Sequence, residues 1–158
     1  MVITRNVVLC DEVGLLMDFF DVLVRYEIAL WNAVDQVLRR EGLVSLAQLH
    51  ALRVIDRYAE QARVQDLSHD IGITVGAASK LVDRLERDGL AVRSPNPANR
   101  RSSLISLTGH GQEAFSTAHE TALAAVDRAV GDEDVQPLMA ALGRLQTRLA
   151  GQAVRTAA

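Results

Sequence analysis

Cysteine occurs once in the 158 residues, at Cys10, which excludes an intramolecular disulfide framework and every cysteine-rich zinc motif and fits a reducing compartment. No apolar run approaches the roughly 18 residues that a membrane span needs; Val7-Val8-Leu9-Cys10 is among the longest. Arg5 precedes that small group, but Asp11, Glu12, Asp18 and Asp21 follow quickly and no signal-like apolar region develops, so a cytoplasmic chain is expected. Repeats of fixed period and low-complexity stretches are also missing. Hydrophobic residues at 49% and charged residues at 23% describe an ordinary globular chain, and the length is that of one domain or half of a homodimer. There is no basic surplus: the net charge is -3, so any surface for a polyanion must be local. Phosphate-binding glycine loops, a nucleophile elbow and the HExxH motif are absent, which argues against an enzyme and calls for no cofactor.

What is present is helical periodicity. From Asp11 to Arg40, Leu15, Leu16, Phe19, Phe20, Leu23, Ile28, Trp31, Val34 and Leu38 recur at three- and four-residue spacing without proline, predicting one long helix closed by Gly42. Ser45 and Gln48 have the spacing of a capping box, opening a second helix to about Glu60 that buries Leu49, Leu52 and either Ile55 or Val54. A short third helix spans Arg63 to Gly72, with Val64, Leu67 and Ile71 inward. Thr74 then caps a fourth, in which Ala78, Leu81, Val82 and Leu85 face inward while Ser79, Lys80, Asp83, Arg84 and Arg87 face out, up to Asp88-Gly89. Between Leu90 and Leu107, two strand-like runs flank the turn formers Ser94 to Asn99, which predicts a hairpin with Ile105 and Leu107 on one face. Thr108 can cap a fifth helix from Gln112 to about Val130, and a sixth runs from Val135 to about Arg155.

Charge is distributed unevenly along this plan. From Arg63 to Arg101 there are seven basic residues and five acidic ones, a surplus of +2, so the remainder of the -3 chain carries -5. From Arg93 to Arg101 there are three arginines and no acid. Two short helices joined through Gly72, followed directly by an arginine-tipped hairpin, form the pattern of a winged helix-turn-helix, with a helix for the major groove and a wing for the minor groove.

Three runs carry a resemblance to a known family: Asp66-Leu67-Ser68-His69-Asp70-Ile71-Gly72-Ile73-Thr74, then Ser79-Lys80-Leu81-Val82-Asp83-Arg84-Leu85-Glu86-Arg87-Asp88-Gly89-Leu90, then Asn99-Arg100-Arg101-Ser102-Ser103-Leu104-Ile105-Ser106-Leu107-Thr108. Together they resemble the MarR family of bacterial transcriptional regulators. The resemblance implies a mainly α fold with a small β-hairpin wing, in which residues 1–44 form an arm and dimerisation helix, 45–108 the DNA-binding core and 109–158 further dimerisation helices. It also implies a homodimer on a pseudo-palindromic double-stranded operator, usually a repressor released by a small aromatic ligand. The sequence departs from the family at one wing position, where Asn99 stands in place of an aspartate that orients the wing arginine.

On that pattern the recognition-helix residues are Thr74, Gly76, Ala77, Ser79, Lys80 and Arg84, and the wing residues are Arg93, Asn99, Arg100 and Arg101. Arg101 is the choice for minor-groove insertion and Arg100 and Arg93 for phosphate, while Arg84 can reach a phosphate or pair within the chain with Asp66 or another acid. Residues that could line a ligand space are Phe20, Trp31, Leu52 and Tyr58, each of which reads equally as core. Two alternatives stay open: a zinc-responsive regulator using His50 and His119, and a winged-helix interaction module that binds no DNA. Cys10 has no nearby base to stabilise a thiolate, so it reads as an unremarkable thiol rather than a peroxide sensor.

Overall fold

The computed structural model describes residues 4–99 and 101–156, with side-chain surroundings for 14–99 and 101–152. All of Arg100 and the side chains of Arg5 and Cys10 lie outside the described residues. The order is α1 (Thr4–Arg40), α2 (Leu46–Tyr58), a 3-10 turn (Ala59–Gln61), α3 (Val64–Ile71), α4 (Val75–Arg87), β1 (Ala91–Pro95), β2 (Ser103–Leu107), α5 (Gly109–Val130) and α6 (Gln136–Thr156). The chain divides into two compact units, Met1–Val126 and Asp127–Ala158. The mainly helical fold with one antiparallel hairpin is the expected class.

Within the first unit α2 belongs to two apolar clusters. Ala51, Leu52, Val54 and Ile55 join Leu67, Ala78, Leu81, Val82, Leu85 and Ile105 in the core of the winged lobe. Leu46 and Leu49 join Val34 and Leu38 of α1 and Ala118, Ala122 and Ala125 of α5. Periodicity left open whether Val54 or Ile55 is buried; both are, because α2 is covered on more than one side. Its start is the capping box: the Ser45 hydroxyl accepts the Gln48 N–H, and the Gln48 amide oxygen accepts the Ser45 N–H at 3.1 Å. Asp35 of α1 accepts the Leu46 N–H at 2.9 Å, tying α1 to that same helix end. The helix stops at Tyr58, short of Glu60, because Ala59 takes φ 50, a left-handed value that a residue with a Cβ adopts only under constraint.

All four expected inward positions of α4 are buried, and Val64 and Ile71 of α3 pack half-buried against the same core as Leu67. The hairpin pairs Arg93 with Ile105, and pairing continues through Ser94–Leu104 and Pro95–Ser103, so the tip lies at 96–102, slightly beyond the turn formers that announced it. Ile105 is fully buried and its N–H donates to the Ala62 carbonyl at 2.7 Å, which adds the connection after α2 to the hairpin's edge.

Two helices are longer than periodicity indicated. α1 begins at Thr4 instead of Asp11, and α5 at Gly109 instead of Gln112. The second difference has a visible cause. Thr108 caps α5 as expected, its hydroxyl accepting the Gly111 N–H at 2.9 Å, and the same hydroxyl donates to the Gly89 carbonyl at 2.7 Å. The first turn of α5 is thereby pressed against the start of β1. A Cβ on Gly111 would stand 1.9 Å from the Leu90 carbonyl oxygen, so only glycine fits. In the second unit, Gly131 at φ 62 closes α5, and the Asp134 carboxylate accepts the Gln136 N–H at 3.0 Å at the start of α6. Among the described residues no helix is long and apolar enough to cross a membrane.

Gly111→Ala must push α5 off the β1 backbone. Overpacking of this kind costs about 1–3 kcal/mol, and a lowered urea midpoint in equilibrium unfolding is the expected outcome; an unchanged midpoint contradicts the tight approach.

Candidate nucleic-acid interface

The α3–α4 pair turns at Gly72, which adopts φ 73 and ψ 31, the left-handed conformation that glycine reaches without a Cβ penalty. Ser68 locks the turn by donating its hydroxyl to the Ile73 carbonyl at 2.7 Å. Thr74 then caps α4, its side chain accepting the Ala77 N–H at 3.2 Å. The first turn of α4 therefore presents Val75, Gly76 and Ala77 to solvent on a helix end whose free N–H groups favour negative charge.

Further along α4 the predicted residues separate. Lys80 and Arg84 are exposed, and Ser79 is half-buried. Asp66, the alternative partner for Arg84, is instead taken by Arg63: its carboxylate accepts the Arg63 N–H at 2.9 Å and the guanidinium at 3.0 and 3.1 Å. That carboxylate, by hydrogen bond and charge, raises the Arg63 guanidinium above its ordinary range. Arg84 makes no ion pair among the described residues. Residue types alone missed Val75, which is 52% exposed in the first turn of α4 and is suited to contact with a thymine methyl group. Its place directly after the Thr74 cap was the available signal.

The wing residues also divide. Arg93 is not available as the expected phosphate contact. Its Nη2 meets Asp83 Oδ1 at 2.8 Å and the Ser79 carbonyl at 3.4 Å, its Nη1 meets Glu86 Oε2, and its backbone N–H donates to Glu86 Oε1 at 3.0 Å. At the tip, Asn96 is buried, donates to the Ser102 hydroxyl at 2.9 Å and accepts the Ala98 N–H at 2.9 Å. Asn99 Oδ1 accepts the Arg101 N–H at 3.0 Å. The asparagine in the aspartate place thus fixes the backbone at Arg101 and leaves its guanidinium exposed.

A cavity of about 510 Å³ lies among α1, α2 and α5 of the first unit. Of the four residues named for a ligand space, Trp31 alone lines it. Phe20 is exposed on α1, Leu52 is fully buried in the winged core, and Tyr58 is exposed with its hydroxyl 3.5 Å from Asp70. Phe20 and Trp31 belong to α1 and Leu52 and Tyr58 to α2, so apolar residues of two helices are divided here between solvent, core and cavity. His50 and His119, singled out as metal candidates, line the cavity together with Arg53 and Glu27. Among the described residues no three His, Cys, Asp or Glu side chains are placed to hold a metal ion. His50 sits 5.3 Å from the Trp31 ring centre. Burial, reinforced by the Arg53 charge, holds the His50 imidazole below its ordinary pKa of 6.5.

A glycine-turned helix pair, a following helix with exposed cations and a hairpin with an exposed arginine make up a winged helix-turn-helix fold. Residues 44–103 match the model of the MarR family. It is 26% identical over 110 residues, 63% of this chain and 68% of the relative, to the uncharacterized HTH-type transcriptional regulator YfiV of Bacillus subtilis (strain 168). Among solved structures it is similar to a MarR-family regulator from Rhodococcus sp. RHA1, with 25% identity, a TM-score of 0.72 and coverage of 82% of this chain and 91% of the other. It is also similar to CouR from Rhodococcus jostii RHA1 bound to p-coumaroyl-CoA, with 25% identity, a TM-score of 0.73 and coverage of 82% and 90%. The transcriptional repressor CouR bound to a 23-mer DNA duplex shares the fold at a TM-score of 0.69, with 22% identity over 81% of this chain and 89% of that one.

Because the folded state lowers the His50 pKa, the unfolded chain takes up a proton first as pH falls through 6.5. This contribution to stability is fully present above 6.5 and is lost on acidification toward the lowered folded value. The thermal midpoint of His50→Gln is expected to fall less than that of the parent between about pH 8 and pH 5.5; parallel curves would contradict the assignment.

Proposed function

We propose that the chain acts as a cytoplasmic homodimeric repressor that reads a pseudo-palindromic operator and is released by a small aromatic ligand. The observation that carries the DNA-reading part is the charge arrangement of the winged lobe. Lys80, Arg84 and Arg101 are exposed and lack ion-pair partners among the described residues, whereas Asp83 and Glu86 on the same helix are engaged by Arg93. Thr74, Val75, Gly76 and Ala77 enter the major groove, where small side chains allow close approach and Ser79 and Lys80 can reach bases or phosphate. Arg101 enters the adjoining minor groove and Arg100 meets phosphate. CouR, solved on a DNA duplex and named as a repressor, supports DNA binding and this sign of regulation.

Dimerisation is supported by exposed apolar bulk on α1. Leu15 and Leu16 are 68% and 66% exposed, and Phe19 and Phe20 lie beside them at 46% and 55%. A run of this kind is normally covered, and a two-fold partner covers it with its own copy. Residues 1–44 and 109–158 then build the dimer and 45–108 reads DNA, with the two α4 helices about 34 Å apart. The cavity beside α2 suits an aromatic anion, since Trp31 offers a ring face and Arg53 a charge. CouR bound to p-coumaroyl-CoA supports a ligand-responsive regulator. Such a ligand weakens DNA binding by its differential affinity for the two states and no more.

Gel-shift titration with DNA from upstream of the chain's own gene tests this reading. Salt-sensitive, two-fold-symmetric protection supports the regulator, and no binding at low salt supports the interaction module. Arg101→Ala is expected to lower affinity and reduce the salt slope by about one per chain; an unchanged affinity and slope removes the wing from the mechanism.

A further inference from the structure

We propose that Arg93 is a positioning residue for DNA reading: with Asp83 and Glu86 it clamps the wing to the recognition helix, and it contacts no phosphate itself. The proposal rests on the DNA-reading function above and concerns how the wing is aimed. Arg93 is the middle residue of β1, and three acceptors on α4 converge on it: the Asp83 and Glu86 carboxylates and the Ser79 carbonyl. Its side chain is only 24% exposed. Glu86 holds it twice, through the guanidinium and through the backbone N–H. A guanidinium shared by two carboxylates brings no net positive charge to the surface, so it adds nothing to phosphate attraction.

The base of the hairpin has a second anchor on the opposite strand. Ile105, the register partner of Arg93, is buried and bonded to the Ala62 carbonyl. The tip, by contrast, bonds only within itself among the described residues, through Asn96, Asn99 and Ser102. The aim of Arg101 relative to α4 is therefore set at the base. At about 3.3 Å per strand residue, the tip stands roughly 10 Å beyond Arg93, so a tilt of about 15° displaces it by nearly 3 Å, enough to lose a groove contact. Releasing Arg93 also frees two carboxylates on the helix that faces DNA.

The decisive variant is Glu86→Ala, which removes an acid from the DNA-reading helix and introduces the best helix former. Simple electrostatics predicts tighter operator binding; the clamp predicts binding weakened by about tenfold. Arg93→Gln should weaken binding to a similar degree, the double variant should add little, and Arg93→Lys should recover part of the loss. Amide exchange without DNA gives an independent readout: the Arg93 and Ser94 amides should exchange faster in Glu86→Ala while those of Leu52 and Ile55 do not change. Tighter or unchanged operator binding by Glu86→Ala overturns the proposal whatever the exchange shows, as does additivity of the two single losses. If the parent binds no DNA, the DNA-reading function fails on its own account, and unchanged exchange at Arg93 then overturns the clamp separately.

Discussion

The helix α2 contributes to two apolar clusters at once, and most of the architecture depends on that double burial. Leu52 and Ile55 are part of the core that holds α3, α4 and β2, while Leu46 and Leu49 are part of the core shared with α1 and α5. Close-packed interiors do not deform smoothly, so a shift of α2 in one core must be accommodated in the other. The ends of α2 reinforce this role. Its start is held by Asp35 from α1 and reaches Asp88 at the end of α4 through Gln48 Nε2 at 2.9 Å. Near its other end Arg57 pairs with Asp70 of α3 at 3.0 Å. The cavity lined by Trp31 and His50 borders the same helix, so an occupant would press on an element that the DNA-reading lobe shares.

A second rigid point joins the wing to α5. Thr108 bonds to Gly89 and Gly111, and the backbones of Leu90 and Gly111 approach as closely as a missing Cβ allows. The hairpin base is thus hemmed in by α5, by Ala62 and by α4 through Arg93. Motion of α5 relative to α2 cannot leave the hairpin undisturbed.

Much of this was legible in the residues. The inward stripe of α4, the Ser45–Gln48 capping box, the Gly72 turn and the Thr108 cap all depend on spacing within one helical turn, and local spacing is what a sequence displays directly. The early start of α1 was not legible because its apolar stripe begins only at Leu15, whereas α5 starts directly after the Thr108 cap that the sequence displayed, ahead of its own apolar pattern. The fate of individual charged and aromatic side chains was least legible. Arg93 read as a phosphate contact alongside Arg100, yet its partners Asp83 and Glu86 meet it only after β1 folds back beside α4. Leu52, Tyr58 and Phe20 shared an apolar description with Trp31, but tertiary packing sent them to core, to the Asp70 neighbourhood and to solvent. His50 and His119 are far apart in sequence and share a cavity only because α2 and α5 pack together.

The wing tip is folded by neutral groups, with Asn96, Asn99 and Ser102 supplying hydrogen bonds where an aspartate would supply charge. Hydrogen bonds among uncharged partners are insensitive to ionic strength, and amides do not titrate in the physiological range. The shape of this wing and its electrical attraction to DNA are therefore governed by separate chemistries. Raising salt dims the attraction and leaves the shape intact, so here the tip holds its fold as a fixed probe whose grip alone is adjusted by the medium.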